Sequence, residues 1–155
     1  MDAPKPKDLY RETPIRYLGY ANEVGEAFRG WIGSKWVNAT YGVATLYVLA
    51  DTIDKSINSY ETNKNERNHI KKVTYTTIDT LLWQFLASVI IPGATINRVC
   101  AVSNYLLKRV EKLPKNTRKY TVTTIGLVTI PFIIKPIDNL VDNLMDATIR
   151  KVQPK

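Results

Sequence analysis

Few side chains in this sequence are equipped for chemistry, and their spacing brings them to no shared site. The chain has one cysteine, Cys100, and one histidine, His69. A single thiol forms no internal disulfide, and the pair is too small a ligand set for a Cys/His zinc centre. Cys100 has no histidine near it in sequence and reads as a packed small residue. His69 sits in a polar stretch and reads as solvated. Asp138, Asp142 and Asp146 recur every four residues, so they share one face of a helix. Such a ladder could hold a divalent cation, but it reads as a solvated face, with Asp146 paired to Arg150 one turn on. Asn38-Ala-Thr40 is a formal glycosylation triplet inside an apolar stretch, and it is discounted. No Walker-type phosphate loop is present. The sequence therefore assigns no catalytic, cofactor-binding or metal-ligating residue and reads as non-enzymatic.

The densest charge lies at 98–119, where seven Lys and Arg stand against one acid, Glu111. One reading is a topology signal beside a membrane span. Another is a contact site for anionic lipid headgroups such as cardiolipin, with Lys108, Arg109, Lys112 and Lys115 as the contact residues. The spacing of aromatic and basic residues fits no nucleic-acid module, so no nucleic-acid partner is expected.

The elements that would position these charges follow from where charge is missing. Trp36–Ala50, Thr80–Asn97 and Tyr120–Ile134 carry none, and the segments between them are crowded with it. That segmentation points to an all-α, multi-pass membrane bundle of about three spans. The runs are 15, 18 and 15 residues long, whereas a bilayer core takes about 20 apolar residues. They span only if terminal Lys or Arg snorkel and polar groups face other helices. At 155 residues, with 45% apolar content and a net charge of +8, the chain is one domain with a basic balance suited to an anionic surface.

Residues 1–14 hold Pro4, Pro6 and Pro14 and are expected to be irregular, followed by one helical domain over 15–152. The first 14 residues resemble neither a secretory signal nor a mitochondrial presequence, so any organellar address is internal. Thr13 caps a helix that starts at Pro14. Tyr17, Ala21, Val24, Phe28 and Trp31 make an apolar stripe, with Glu23, Glu26 and Arg29 off it. Gly19 and Gly25 weaken that helix and imply close packing, and Gly30 and Gly33 should end it. Residues 55–70 hold little apolar surface and are expected to be a mobile loop. Pro92-Gly93 predicts a kink or a division into two helices. Pro131 and Pro136 interrupt the last span. Ile137, Leu140, Val141, Leu144, Met145, Ile149 and Val152 then form the apolar face of a C-terminal amphipathic helix. Arg16 with Asp54, and Arg98 with Asp138, are candidate ion pairs between helices.

Gly42–Asp54 aligns without gaps to Gly126–Asp138, with Gly, Thr, Ile and Asp coinciding, so the chain is compatible with an internal duplication. Lys and Arg number 13 on the side that three spans give to the N-terminus and the 98–119 loop, against 9 on the other. The positive-inside rule then places the first side on the more negative side of the membrane, which is the matrix if that membrane is a mitochondrial inner one. Insertion of Tyr17–Ile32 would change that assignment.

Longer blocks carry a resemblance. DLYRET at Asp8–Thr13, RYLGYANEVGEAFR at Arg16–Arg29, YGVA at Tyr41–Ala44 and YVLADTIDK at Tyr47–Lys55 come first, followed by LASVIIPGATINRVCA at Leu86–Ala101 and LVTIPFIIKPID at Leu127–Asp138. In these blocks, and in their order, the chain resembles the mitochondrial fission process protein 1 family, also called the mitochondrial 18 kDa protein family. The likeness weakens at Ser56–Lys71 and Leu106–Lys119. It implies a multi-pass protein of the mitochondrial inner membrane that promotes fission and shapes the network, with effects on apoptosis. It also implies unidentified partners in the membrane or the fission machinery, and no catalytic residues. Two other classes fit the composition: a small inner-membrane carrier or channel with proline-broken helices, and a soluble helical binding domain. The charge-free runs contain no midplane ionisable group, which counts against transport.

Overall fold

The structure is a computed structural model that describes residues 8–10 and 12–153; the expectation for residues 1–7 and 11 lies outside the described residues. Among the described residues every regular element is helical. Thr13 caps the first segment as its sequence implies, its hydroxyl accepting from the Ile15 amide at 3.3 Å. Pro14–Tyr20 winds as a 3-10 helix and continues into α1, Ala21–Ala27. Together they form an N-terminal limb about 25 Å long, from the rises of the two helix types.

α2 covers Arg29–Asn63 and is broken at Gly33, where φ is +76°. That left-handed conformation suits glycine and turns the chain back on itself. α3, His69–Gln84, passes through a π-helical turn at Phe85–Ile90 into α4, Ile91–Lys108. Pro92 offers no amide hydrogen to the turn before it, and the widened turn takes up that mismatch within one rod of 40 residues. α5 spans Lys115–Ala147, running through Pro131 and Pro136, and ends in a short 3-10 turn at Ile149–Val152. The C-terminal amphipathic segment is thus the last third of α5, not a separate helix. Ile137, Val141 and Met145 of its expected apolar face are buried, whereas Leu140, Leu144 and Val152 are exposed.

One expectation is corrected and another is met in part. The stretch expected as a loop at 55–70 is helical to Asn63 and again from His69, leaving only 64–68 as the connection. Its arms are joined by small polar groups where apolar ones are lacking: the Ser56 and Thr77 hydroxyls lie 2.6 Å apart, and Ser59 donates to Thr76 at 3.2 Å. The expectation met in part is that of about three spans. Two rods, His69–Lys108 and Lys115–Ala147, are long and apolar enough to cross a membrane by length and composition; α2 falls short of that standard.

The limb also packs the opposite way from its amphipathic pattern. Asn22, Glu23, Gly25, Glu26 and Ala27 are buried, whereas Tyr17 is 72% exposed, and Leu18, Val24, Phe28 and Trp31 also face outward. The small and polar face is inside because the backbones are too close for anything larger. A Cβ on Gly25 would lie 2.0 Å from Thr40 Oγ1. One on Gly126 would lie 2.9 Å from the Ala27 Cβ, and one on Gly93 2.8 Å from Asn22 Nδ2. The limb lies antiparallel to α2. Lys55 pairs with Asp8 at 3.1 Å, the Tyr47 hydroxyl donates to the Tyr10 carbonyl at 2.6 Å, and Gly25 meets Thr40. It also runs antiparallel to α5, from Arg16 paired with Asp138 at 2.8 Å to Ala27 against Gly126. The limb therefore runs alongside the middle of the rods, from the level of Lys55 and Asp138 to that of Thr40 and Gly126.

Ion pairs close the other ends of the rods. Arg150 bonds Asp79 of α3 at 2.9 Å and both Asp142 and Asp146 at 3.0 Å. Those hydrogen bonds, Asp79 first, raise the guanidinium above its ordinary range against the effect of burial. The aspartate ladder is thus divided between two arginines, Asp138 going to Arg16 and the other two to Arg150, and among the described residues no cluster of ligands suits a metal. Arg16 crosses to Asp138 rather than to Asp54, which instead accepts from Asn58 at 3.3 Å.

Three outcomes are expected of the purified protein in detergent. Gly25→Val forces α1 away from α2 and should cost about 1–3 kcal/mol, read as a lower thermal midpoint. Glu26→Ala leaves three partly buried donors without their acceptor and should cost about 1–3 kcal/mol. Glu23→Gln should be close to neutral in the same melts, because neither Glu23 carboxylate oxygen accepts a hydrogen bond.

Candidate basic pocket between α1, α4 and α5

The bases at 98–119 do not all line one cavity. Arg109 donates to the Tyr105 hydroxyl, with its guanidinium 4.6 Å from that ring's centroid. Lys112 and Lys115 are exposed at the α4–α5 turn. Only Lys108 of the four expected contact residues lines a cavity, of about 390 Å³, at the end of the bundle where α4 gives way to α5.

Each wall has a sequence reason. On α4, Asn97, Cys100, Ala101, Asn104 and Lys108 recur at helical spacing and present one continuous face. α5 brings Arg118, Lys119, Val122 and Thr123 in its first turns. Arg29 and Gly30 come from the start of α2, delivered there by the length of the limb, and Glu26 and Ala27 close the inner side.

The one carboxylate in the lining is already satisfied. Glu26 accepts from Arg29 Nε and Nη2, both at 2.7 Å, from Asn97 Nδ2 at 2.9 Å and from the Tyr41 hydroxyl at 3.0 Å. Lys119 lies over the Trp31 ring, 5.1 Å from its centroid. Trp31 itself donates to Thr123 Oγ1 at 3.1 Å and packs on Tyr120. Arg118 differs: its Nε is buried and has no hydrogen-bond partner among the described residues. Cys100 lies on the apolar side of the cavity, its thiol 3.9 Å from the Val122 carbonyl, and is packed as its sequence context implies. His69 stands at the start of α3 beside Tyr60.

Sequence reasoning placed Lys108 but missed its company. Arg29 is 79 positions away in the chain, and only the reversal at Gly33 and the direction of the limb bring it to the same end. Arg118 and Lys119 were visible as part of the basic run, with nothing local to separate them from Lys112 and Lys115.

Known sequences match the chain over nearly its whole length, although no solved structure matches it. The model of a family described as mitochondrial 18 kDa protein matches residues 9–77 and 54–145. A protein of Caenorhabditis elegans named mitochondrial fission process protein 1 is 55% identical, over 94% of this chain and 89% of its own length. A human protein of the same name is 52% identical over 99% of this chain and 95% of its own. One of Danio rerio is 53% identical over 96% and 90%. With near full-length similarity at these identities, the chain belongs to the mitochondrial 18 kDa protein family.

Proposed function

We propose that this protein promotes mitochondrial fission from within the inner membrane, as a non-enzymatic, multi-pass helical bundle with secondary effects on apoptosis. The observation that carries the fission role is the name shared by relatives that align over nearly the whole chain in both directions.

The membrane reading rests on a different observation, the inversion of polarity between inside and outside. Asn22, Glu23, Glu26, Asp51, Thr80 and Gln84 are buried. Leu46 is 68% exposed and Phe132 73%, in company with Val43, Leu49, Ile53, Ile90, Val102, Leu106 and Val128. Water would disfavour an exposed apolar surface of this extent, whereas lipid tails solvate it and leave close backbone packing and hydrogen bonds to hold helices together. α2 serves as the third span on this reading. Trp36, Val43, Leu46, Leu49 and Ile53 form its outward stripe, and its buried Asp51 is bonded by Gln84 and by Lys55 at 2.8 Å. The limb runs back along the bundle beside the three rods, which puts the first described residue, Asp8, beside Lys55 on the side of the 64–68 connection. With that grouping Arg16, the five bases at 51–79, Lys135, Arg150 and Lys151 stand at one end. Arg29, Lys35 and the seven at 98–119 stand at the other, nine against nine among the described residues. Lys5, Lys7, Arg11 and Lys155 lie outside the described residues; counted by chain order with Arg16 and Lys151 they make 13 against 9 over the whole sequence, so on this grouping the excess falls on the end of the 64–68 connection rather than on that of the 98–119 loop.

Two outcomes test the proposal. The protein should remain in the membrane pellet after alkaline carbonate treatment of mitochondria, and release to the supernatant would refute the bundle as a membrane unit. Depletion should lengthen and hyperfuse the mitochondrial network, and excess should fragment it, both by live imaging; a network unchanged under both would refute the fission role.

A further inference from the structure

We infer that the pocket between α1, α4 and α5 is a binding site for a phosphate ester, with Lys108, Arg118 and Asn104 as its ligating groups. The inference rests on what remains uncommitted inside the cavity. Glu26 is saturated by four hydrogen bonds, so the lining has no free anion to neutralise its bases. Arg29 is bound to Glu26, Asn97 gives its amide to the same carboxylate, and Lys119 covers Trp31. That leaves Lys108, Arg118 and the Asn104 amide, none of which has a hydrogen bond or ion pair among the described residues. Arg118 Nε is also already withdrawn from water. A buried, unbonded guanidinium donor is costly unless an acceptor arrives to meet it.

The geometry of the donors selects the ligand. Asn104 and Lys108 are one turn apart on α4, and Arg118 faces them from the first turn of α5. A fork, a point charge and an amide converging from two helices match an anion with three or more acceptor oxygens, which a phosphate offers and a carboxylate does not. At about 390 Å³ the cavity exceeds what a bare phosphate fills and falls in the range of small-ligand sites, about 300–1,000 Å³. Ala27, Cys100 and Val122 supply an apolar wall for the organic part. The phosphate ester has two sources: an anionic phospholipid headgroup, for which the mouth of the α4–α5 hairpin is at the right level if the rods span a bilayer, or a soluble phosphate monoester. The lipid source rests on the membrane reading, and the phosphate chemistry does not.

The test uses the full-length protein purified in a neutral detergent, with thermal unfolding followed as cardiolipin, or separately glycerol 3-phosphate, is added. Ligand should raise the wild-type midpoint. In a protein carrying both Lys108→Gln and Arg118→Gln, the concentration giving half the effect should rise at least tenfold. In one carrying Lys112→Gln and Lys115→Gln, which removes the same charge from the exposed turn, it should stay within twofold of wild type. Stabilisation by cardiolipin alone assigns the site to a lipid headgroup, and stabilisation by glycerol 3-phosphate assigns it to a soluble ester. Should the Arg118 variant unfold without ligand, Lys108→Gln alone, at an exposed helix end, carries the comparison. No midpoint shift with either ligand overturns the site. Equal losses in the two paired variants also overturn it, since they would mean diffuse attraction to a basic surface. Neither result depends on whether the protein acts in fission.

Discussion

The Glu26 carboxylate ties three elements together, and the arrangement of the chain depends on it. It stands on α1; Arg29 and Tyr41 reach it from the two sides of the break in α2, and Asn97 from α4. A carboxylate this buried is tolerated only with its hydrogen-bonding capacity filled. Every donor must therefore keep its place, which fixes how far the limb penetrates and where α2 begins. Close contacts above and below it, at Gly25 against Thr40 and Gly126 against Ala27, leave no slack for the limb to slide. Arg29 is then held at the pocket's edge, and Lys108 and Arg118 are left with no acid to pair with.

Polarity inside and apolarity outside follow from the same packing. Small residues on the limb let three helices approach its backbone, and their polar side chains are spent on one another. The large apolar groups have no room inside and are displaced to the rim. In water this arrangement would be a liability. In lipid it is the expected one, because association there is driven by close contact and hydrogen bonding, without a gain from hiding leucine.

Much of the frame was legible in the sequence for local reasons. Thr13 and Pro14 mark a helix start by capping chemistry, Gly33 marks a reversal by its backbone freedom, and Pro92 marks the irregular turn before α4. The requirement of Gly19 and Gly25 for close neighbours was also readable, and both have them. Three features were not. The apolar stripe of the limb was read from its spacing, but spacing does not say which face packs, and the small and polar face is the one inside. The stretch at 55–63 was expected to be a loop because it lacks apolar groups, yet hydroxyl pairs such as Ser56 with Thr77 hold its hairpin. The pocket sets Lys108 and Arg118 against Glu26 and the Arg29 that satisfies it, and only the path of the limb brings that pair there.

That path is the central claim, and it has a sidedness that can be read directly. Single cysteines would be placed by Glu12→Cys, Asn65→Cys and Lys112→Cys in a Cys100→Ser background, and labelled in intact mitoplasts with a membrane-impermeant maleimide before and after permeabilisation. All three positions are exposed to solvent. A limb that returns through the bundle predicts that the cysteines at 12 and 65 label from the same side and the one at 112 from the other. Labelling of 12 together with 112 would place the limb outside the bundle, and labelling of all three from one side would mean that no rod crosses the membrane. Either result contradicts the account.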